Sequence, residues 1–370
     1  MTRPITRRSA LAAGAAGAAA LALPTSATAA GLRGRGSDVT GRALFSIVEG
    51  YSRWPLHRTG SAQEEAAVRW VEQTLRRLGA TTSRWRYDYP HYDWSASVRV
   101  GRQTIPSVPL YYEGTGRVRT SRPFVAPTNG SAAGEDPGVQ AAVAAAKAAG
   151  AEVALLPVTK PATATAAAYD GLVAFNSDPD TQDERTGVPT LVVPGRHADA
   201  IARHGADVRF TSRVRSAHAT NLEGWFGTSA PVADPVVVTT PLSGWFTCAA
   251  ERGPGLAFAL ALATDLARTT PVFFLGNTGH ELDNVGVRRY LAQELDLSPR
   301  AVIHLGASLA AGARDADGRL RLVPRVAASN PAPATVPGLV PHLATGRFAP
   351  VATFPGEGAE WSRALGPDVP

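Results

Sequence analysis

The stretch FFLGNTGHELDNVG, residues 273–286, runs from an apolar, strand-like segment into a loop that carries His280 and Glu281 side by side. A histidine next to a carboxylate at a strand end can act as an acid/base pair or belong to a metal site. Spacing alone tests three arrangements. A zincin helix needs two histidines four apart around a glutamate, so that both face one metal. Here Asn284 stands at the second place, and that chemistry fails. A serine-esterase elbow needs G-x-S-x-G, and GASLA at 306–310 lacks the second glycine. Cys248 with His280 would supply a thiolate and a base, but a lone cysteine near a helix start is more often a small buried hydrophobe. His280 and Glu281 are equally consistent with an ordinary hydrogen-bonded pair that caps the next helix.

The elements around this loop alternate between strand and helix. PVVVTTP (235–241), TPVFFLGN (270–277) and RAVIHLGAS (300–308) read as strands, and GLAFALALATDLAR (255–268) and VGVRRYLAQEL (285–295) as helices. Such alternation predicts an α/β fold with a mainly parallel sheet covered by helices on both faces, and a site outside the carboxyl ends of the strands. Those ends carry Pro241, Ser243, Cys248 and Glu251, then His280 and Glu281, then His304 and Ser308. His304, inside an apolar strand, reads as a core histidine. Glu251 suits a helix dipole as well as a metal.

Upstream, HRTGSAQEEAAVRWVEQTLRRLGA (57–80) is a helix: Ser61 and Glu64 form a capping box, Val68, Val71, Leu75 and Leu78 share a face, and Gly79 supplies the stop. Residues 58–60 read as its lead-in. WSASVRVGRQTI (94–105) is strand-like, and the aromatic run WRYDYPHYDW (85–94) reads as packing or a surface rim. From 112 to 218 the composition shifts. There GVQAAVAAAKAAGAEVALLPV and TGVPTLVVPGRHADAIARHGADVRF repeat a helix and strand alternation, which reads as an inserted small α/β domain.

With 370 residues, 44% of them hydrophobic, the chain can build one large domain plus an insertion. Its net charge of +6 comes from arginines scattered along the chain, which argues against a nucleic-acid groove. Residues 1–30 carry Arg7 and Arg8, an Ala-rich apolar run and a closing Ala27-Thr28-Ala29. This pattern reads as an export signal, of twin-arginine type, rather than a membrane anchor, and implies a secreted or extracytoplasmic protein. One cysteine allows no intrachain disulfide.

The helix at 57–79, the insertion ending ATNLEGW, and the run from VVVTTPLSGWFTCAAERG to VRRYLA together resemble the two-zinc aminopeptidases, the M28-like family related in fold to glutamate carboxypeptidase and the transferrin receptor. The resemblance implies a three-layer α/β/α domain from residues 31–111 and 219–370, interrupted by a protease-associated (PA) insertion over 112–218. It also implies zinc, and it assigns the site position by position. The first zinc-ligating His and its orienting Asp fall on Pro241 and Ser243. The bridging Asp falls on Glu251, the general base on His280 and the adjoining ligand on Glu281. The later Asp falls on Gly306, and the last His lies beyond GEGAEWSRALGPDVP, where the sequence stops at Pro370. Hydrolytic zinc sites use about three protein ligands per metal plus a water position. Zinc is therefore expected to be absent or weakly bound, with family-type peptidase activity lost or very low. Three readings stay open: a degenerate, non-catalytic member used for binding or structure, with a peptide or protein as the candidate ligand; a hydrolase with an altered centre of His280, Glu281 and Glu251, acting on peptides; and a truncated gene product.

Overall fold

The computed structural model describes residues 31–32, 39–130, 137–162, 168–184, 187–228, 232–293, 298–310, 312–314 and 317–366. The export signal expected over 1–30 lies outside the described residues. Among the described residues no helix is long and apolar enough to cross a membrane.

Helix α1 (Gly41–Tyr51) starts at Thr40, whose hydroxyl accepts from Ala43 N. Helix α2 (Ala62–Leu78) starts at Ser61, whose hydroxyl accepts from Glu64 N, and ends at Gly79 in the left-handed region, with φ of 102°. The capping box is only half made. Glu64 accepts from Gly60 N at 3.3 Å, because Ser61 N already donates to Arg58 O. Val68, Val71, Leu75 and Leu78 are buried, as the 3.6-residue repeat predicts.

Strands β1 (Thr81–Val100) and β2 (Gln103–Ile105) follow, then four short strands, β3 (Val108–Pro109), β4 (Gly116–Thr120), β5 (Phe124–Val125) and β6 (Thr128–Asn129). Next come α3 (Pro137–Ala148), β7 (Ala154–Thr159), β8 (Thr190–Pro194), α4 (Ala198–His204) and the long β9 (Asp207–Phe226). The last α/β units are β10 (Val236–Pro241), α5 (Gly253–Leu266), β11 (Val272–Asn277), α6 (Val285–Ala292) and β12 (Ala301–His304). Beyond two small strand pairs, α8 (Glu357–Leu365) closes the described chain, preceded by the one-turn α7 (Val340–Leu343).

The main sheet has seven strands in the order β12-β10-β11-β9-β1-β2, with β4 paired to β9. Parallel pairing holds for β10, β11 and β12, the strands that carry the site. β9 runs antiparallel to both β11 and β1; the chain between β1 and β9 adds β2 and β4 to this sheet before β9 pairs along the length of β1. Alternation along the central strands builds three layers. Val238 and Phe274 join the core under α1, α2 and α5, while Val237, Phe273 and Leu275 face α6 and α8 with Tyr290 and Trp361. The intervening residues form a second, five-stranded sheet, β3-β8-β7-β5 with β6 on β7, packed against α3 through a core of its own. The aromatic run lies on β1, where Tyr87, Tyr89 and Tyr92 are buried packing residues.

Among the described residues β12 pairs on one side only, with β10, and all four of its residues are half-buried. Trp361 of α8 is 3% exposed and anchors that helix over the sheet. Trp361→Ala is expected to destabilise the protein by about 3–5 kcal/mol, the range for emptying a large aromatic site. A lowered urea midpoint with an unchanged m-value is the expected reading, and an unshifted midpoint would mean that α8 does not hold this face.

Candidate functional site

The loop after β11 is fixed from below by side chains far away in sequence. Thr278 N donates to Asn221 Oδ1 at 2.9 Å, and Asn221 Nδ2 donates to Gly286 O at 2.9 Å. Tyr87 and Thr278 hydroxyls meet at 3.0 Å. Gly279 sits at φ of 80°, where a Cβ would press on Val285 and the Tyr87 hydroxyl, so only glycine fits.

Glu281 points into this frame and is fully buried. One carboxylate oxygen accepts from Thr59 N at 2.6 Å, and the other accepts from the Ser243 hydroxyl at 2.7 Å. Thr59 also accepts from Gly279 N at 2.8 Å through its own hydroxyl, and Ser243 Oγ accepts from His280 N at 3.1 Å. Thr59 O accepts in turn from the Tyr89 hydroxyl at 2.9 Å. Thr59 is thus part of the site as well as of the helix lead-in. The backbone of the intervening unit reaches the same loop, where Ser177 N donates to Glu281 O at 3.2 Å.

His280 turns the other way. Its Nδ1 lies 3.3 Å from an oxygen of Glu357, the first residue of α8, whose second oxygen accepts from Asn277 Nδ2 at 3.0 Å. His280 and Glu281 therefore do not form a capping pair, and α6 begins at Asn284 without a side-chain cap. His304 brings Nδ1 to 4.0 Å from Glu357, and among the described residues that nitrogen has no hydrogen-bond partner, so it is not satisfied there as a core histidine would be. Burial by itself would raise the Glu357 carboxyl. The hydrogen bond with His280 and the charges of His280, His304 and Arg252 outweigh it and hold the group below its ordinary range. Burial pulls His304 down despite Glu357 beside it.

The remaining sequence-selected residues lie around Arg252. Its side chain is 1% exposed, donates from Nε to Ser243 O at 2.7 Å and pairs with Glu251 at 3.0 Å. Glu251 itself is 46% exposed, so it lies at the rim. Pro241 ends β10 opposite Asn277. Gly306 places its carbonyl 2.9 Å from where a Cβ on Gly255 would stand, a close approach of backbones. Cys248, raised to about 12 by burial and by nearby Glu251, remains a protonated thiol at neutral pH. It is no thiolate nucleophile.

A zinc pair does not fit these residues. Both oxygens of Glu281 are already taken by fixed donors, Glu251 is tied to a guanidinium, and Pro241 and Gly306 offer no ligand atom. Among the described residues no group of three or more His, Cys, Asp or Glu side chains is arranged to hold a metal ion. What the arrangement offers is a partly exposed imidazole oriented by a buried carboxylate, His280 on Glu357, beside a closed carboxylate network. Glu357, Thr59, Asn277 and Arg252 carry no motif in the sequence. Only the pair HE did.

No protein-family model matches the chain, and no curated protein matches it. Among solved structures, the fold is similar to that of a zinc aminopeptidase from Bacillus subtilis, with a TM-score of 0.60 at 12% identity over 87% of this chain and 82% of that one. A second structure of that enzyme gives 0.50 at 15% identity over 68% and 65%. An aminopeptidase from Aneurinibacillus sp. strain AM-1 gives 0.43 at 15% identity over 68% of this chain and 66% of that one. In these last two comparisons the chain spans just under two thirds of its counterpart. The fold class is therefore that of the zinc aminopeptidases, as the resemblance of the sequence implies.

Two pH effects follow from buried groups. His57 and His91 are each lowered from 6.5 to about 4, chiefly by burial. Between these values the unfolded chain binds more protons, so their contribution is fully present above 6.5 and is lost as pH falls to about 4. Urea midpoints should fall steadily across that window, and a flat profile would contradict it. Glu64 is raised well above 4.5 by burial, Glu281 and Glu65. Its folded form keeps a proton that the unfolded chain releases, which lowers stability as pH rises. Glu64→Gln is expected to raise the midpoint at neutral pH, and the gain should vanish below about pH 4.

Proposed function

We propose that this chain is an exported protein of zinc-aminopeptidase fold that has lost zinc-dependent peptide hydrolysis and acts by binding a peptide or protein. One observation carries the reading: the Glu281 carboxylate is fully buried with both oxygens hydrogen-bonded, by Thr59 N at 2.6 Å and Ser243 Oγ at 2.7 Å. Without a bound metal, water is not acidified and a peptide carbonyl is not polarised. Arg252 places a fixed positive charge beside Glu251 instead. The Arg7-Arg8 leader supports export, and the separate sheet of residues 108–194 supports a protease-associated insertion.

A second reading rests on His280. Its ring is 19% exposed and held by Glu357, which is how a general base is oriented toward water. In this reading the chain hydrolyses a peptide or related bond with His280 as base, and Glu357 positions it.

Metal content separates these readings from a working zinc site. Residues 31–370, produced with zinc and briefly dialysed, are expected to carry zinc far below one ion per chain. Near-stoichiometric zinc that disappears in Glu251→Ala and Glu281→Ala would overturn the proposal. If aminoacyl amides or peptides are turned over by metal-free protein and His280→Ala abolishes the rate, the second reading holds.

A further inference from the structure

The arginines that are scattered in sequence are gathered by β4, β9 and β1 onto one exposed sheet face. Arg119 stands opposite Arg209, and Arg209 opposite Ser97; Arg117 stands opposite Thr211, and Thr211 opposite Ser95. All six are exposed. These two rows hold three guanidinium groups and three hydroxyls, with no carboxylate. Among the described residues none of the three guanidinium groups has a hydrogen-bond or ion-pair partner. The acids at the flanking positions of β9 and β1 are already engaged, Asp207 with Arg99 at 2.8 Å and Asp93 with Arg215 at 2.6 Å.

Like charges directly opposite in an antiparallel pair destabilise it. The Arg119 and Arg209 pair therefore suits an anionic partner. β4 also pairs on one side only, with β9, among the described residues, which leaves a row of backbone donors and acceptors at its other edge. A second copy of this chain is a poor occupant, since its β4 would bring arginine against arginine. An extended polypeptide repeats its same-face side chains every ~6.6 Å, the repeat that separates Arg117 from Arg119. A polysaccharide or a nucleic acid has no backbone to pair with β4 in this way, and these two rows present no aromatic ring for base stacking.

We propose that β4 is a docking edge for an extended acidic peptide, which adds as a further strand and lays alternate Glu or Asp side chains over Arg117, Arg119 and Arg209. Main-chain hydrogen bonds along β4 supply the strand addition, and the guanidinium groups select for acidic side chains. This edge is separate from the Glu281 network, so the proposal stands whichever reading of that network holds.

The test is fluorescence anisotropy with a labelled peptide of alternating Glu and Thr. Binding is expected at low salt and should weaken as salt screens the charges. Arg119→Gln and Arg209→Gln, both exposed positions, should each lower affinity about fivefold. Methylation of the peptide's alternate backbone nitrogens should abolish binding. The proposal is overturned by no binding at low salt, by equal binding of an alternating Lys and Thr peptide, or by unchanged binding to both arginine variants. It is equally overturned if heparin and the N-methylated peptide bind as well as the parent, which would mean charge adsorption without strand addition.

Discussion

A carboxylate removed from water must find donors, and the burial of Glu281 is the constraint around which this site is built. Its two partners come from separate parts of the chain, Thr59 before α2 and Ser243 after β10. Each partner has a second task. Thr59 also holds Gly279, and Ser243 also holds the His280 backbone. Breaking one link would leave a buried acceptor unsatisfied and release the loop that aims His280 at Glu357.

The same constraint fixes what the Glu281 carboxylate faces. In a hydrolytic metal site carboxylates face an ion and leave a position open for water. Here two hydrogen-bond donors hold the Glu281 carboxylate, and the buried Arg252 guanidinium pairs with Glu251 at the rim. Burial, and then the charge of Glu281, raise the Glu64 carboxyl well above its ordinary range in the same region.

Much of the framework was legible in the sequence. The 3.6-residue repeat placed Val68, Val71, Leu75 and Leu78 on the buried face of α2, and Gly79 at its end, because local periodicity and backbone freedom decide both. The apolar runs at β10 and β11 announced strands covered on both faces. The half-made capping box escaped, because Ser61 N had a nearer acceptor in Arg58 O. His304 was read as a core residue, but β12 lies at a sheet edge, a matter of strand order that periodicity does not encode.

The sequence by itself determined the α/β class, the order of elements and the loop carrying His280 and Glu281. These are properties of short stretches, set by side-chain type and repeat. Only the tertiary structure decided that Thr59, 222 positions before Glu281, would satisfy its carboxylate, and that Glu357, 77 positions after His280, would orient its ring. It also decided that Arg117, Arg119 and Arg209 would share one face. Contacts across such separations depend on strand order and register, which no local pattern specifies, so they become visible only once the chain has closed on itself.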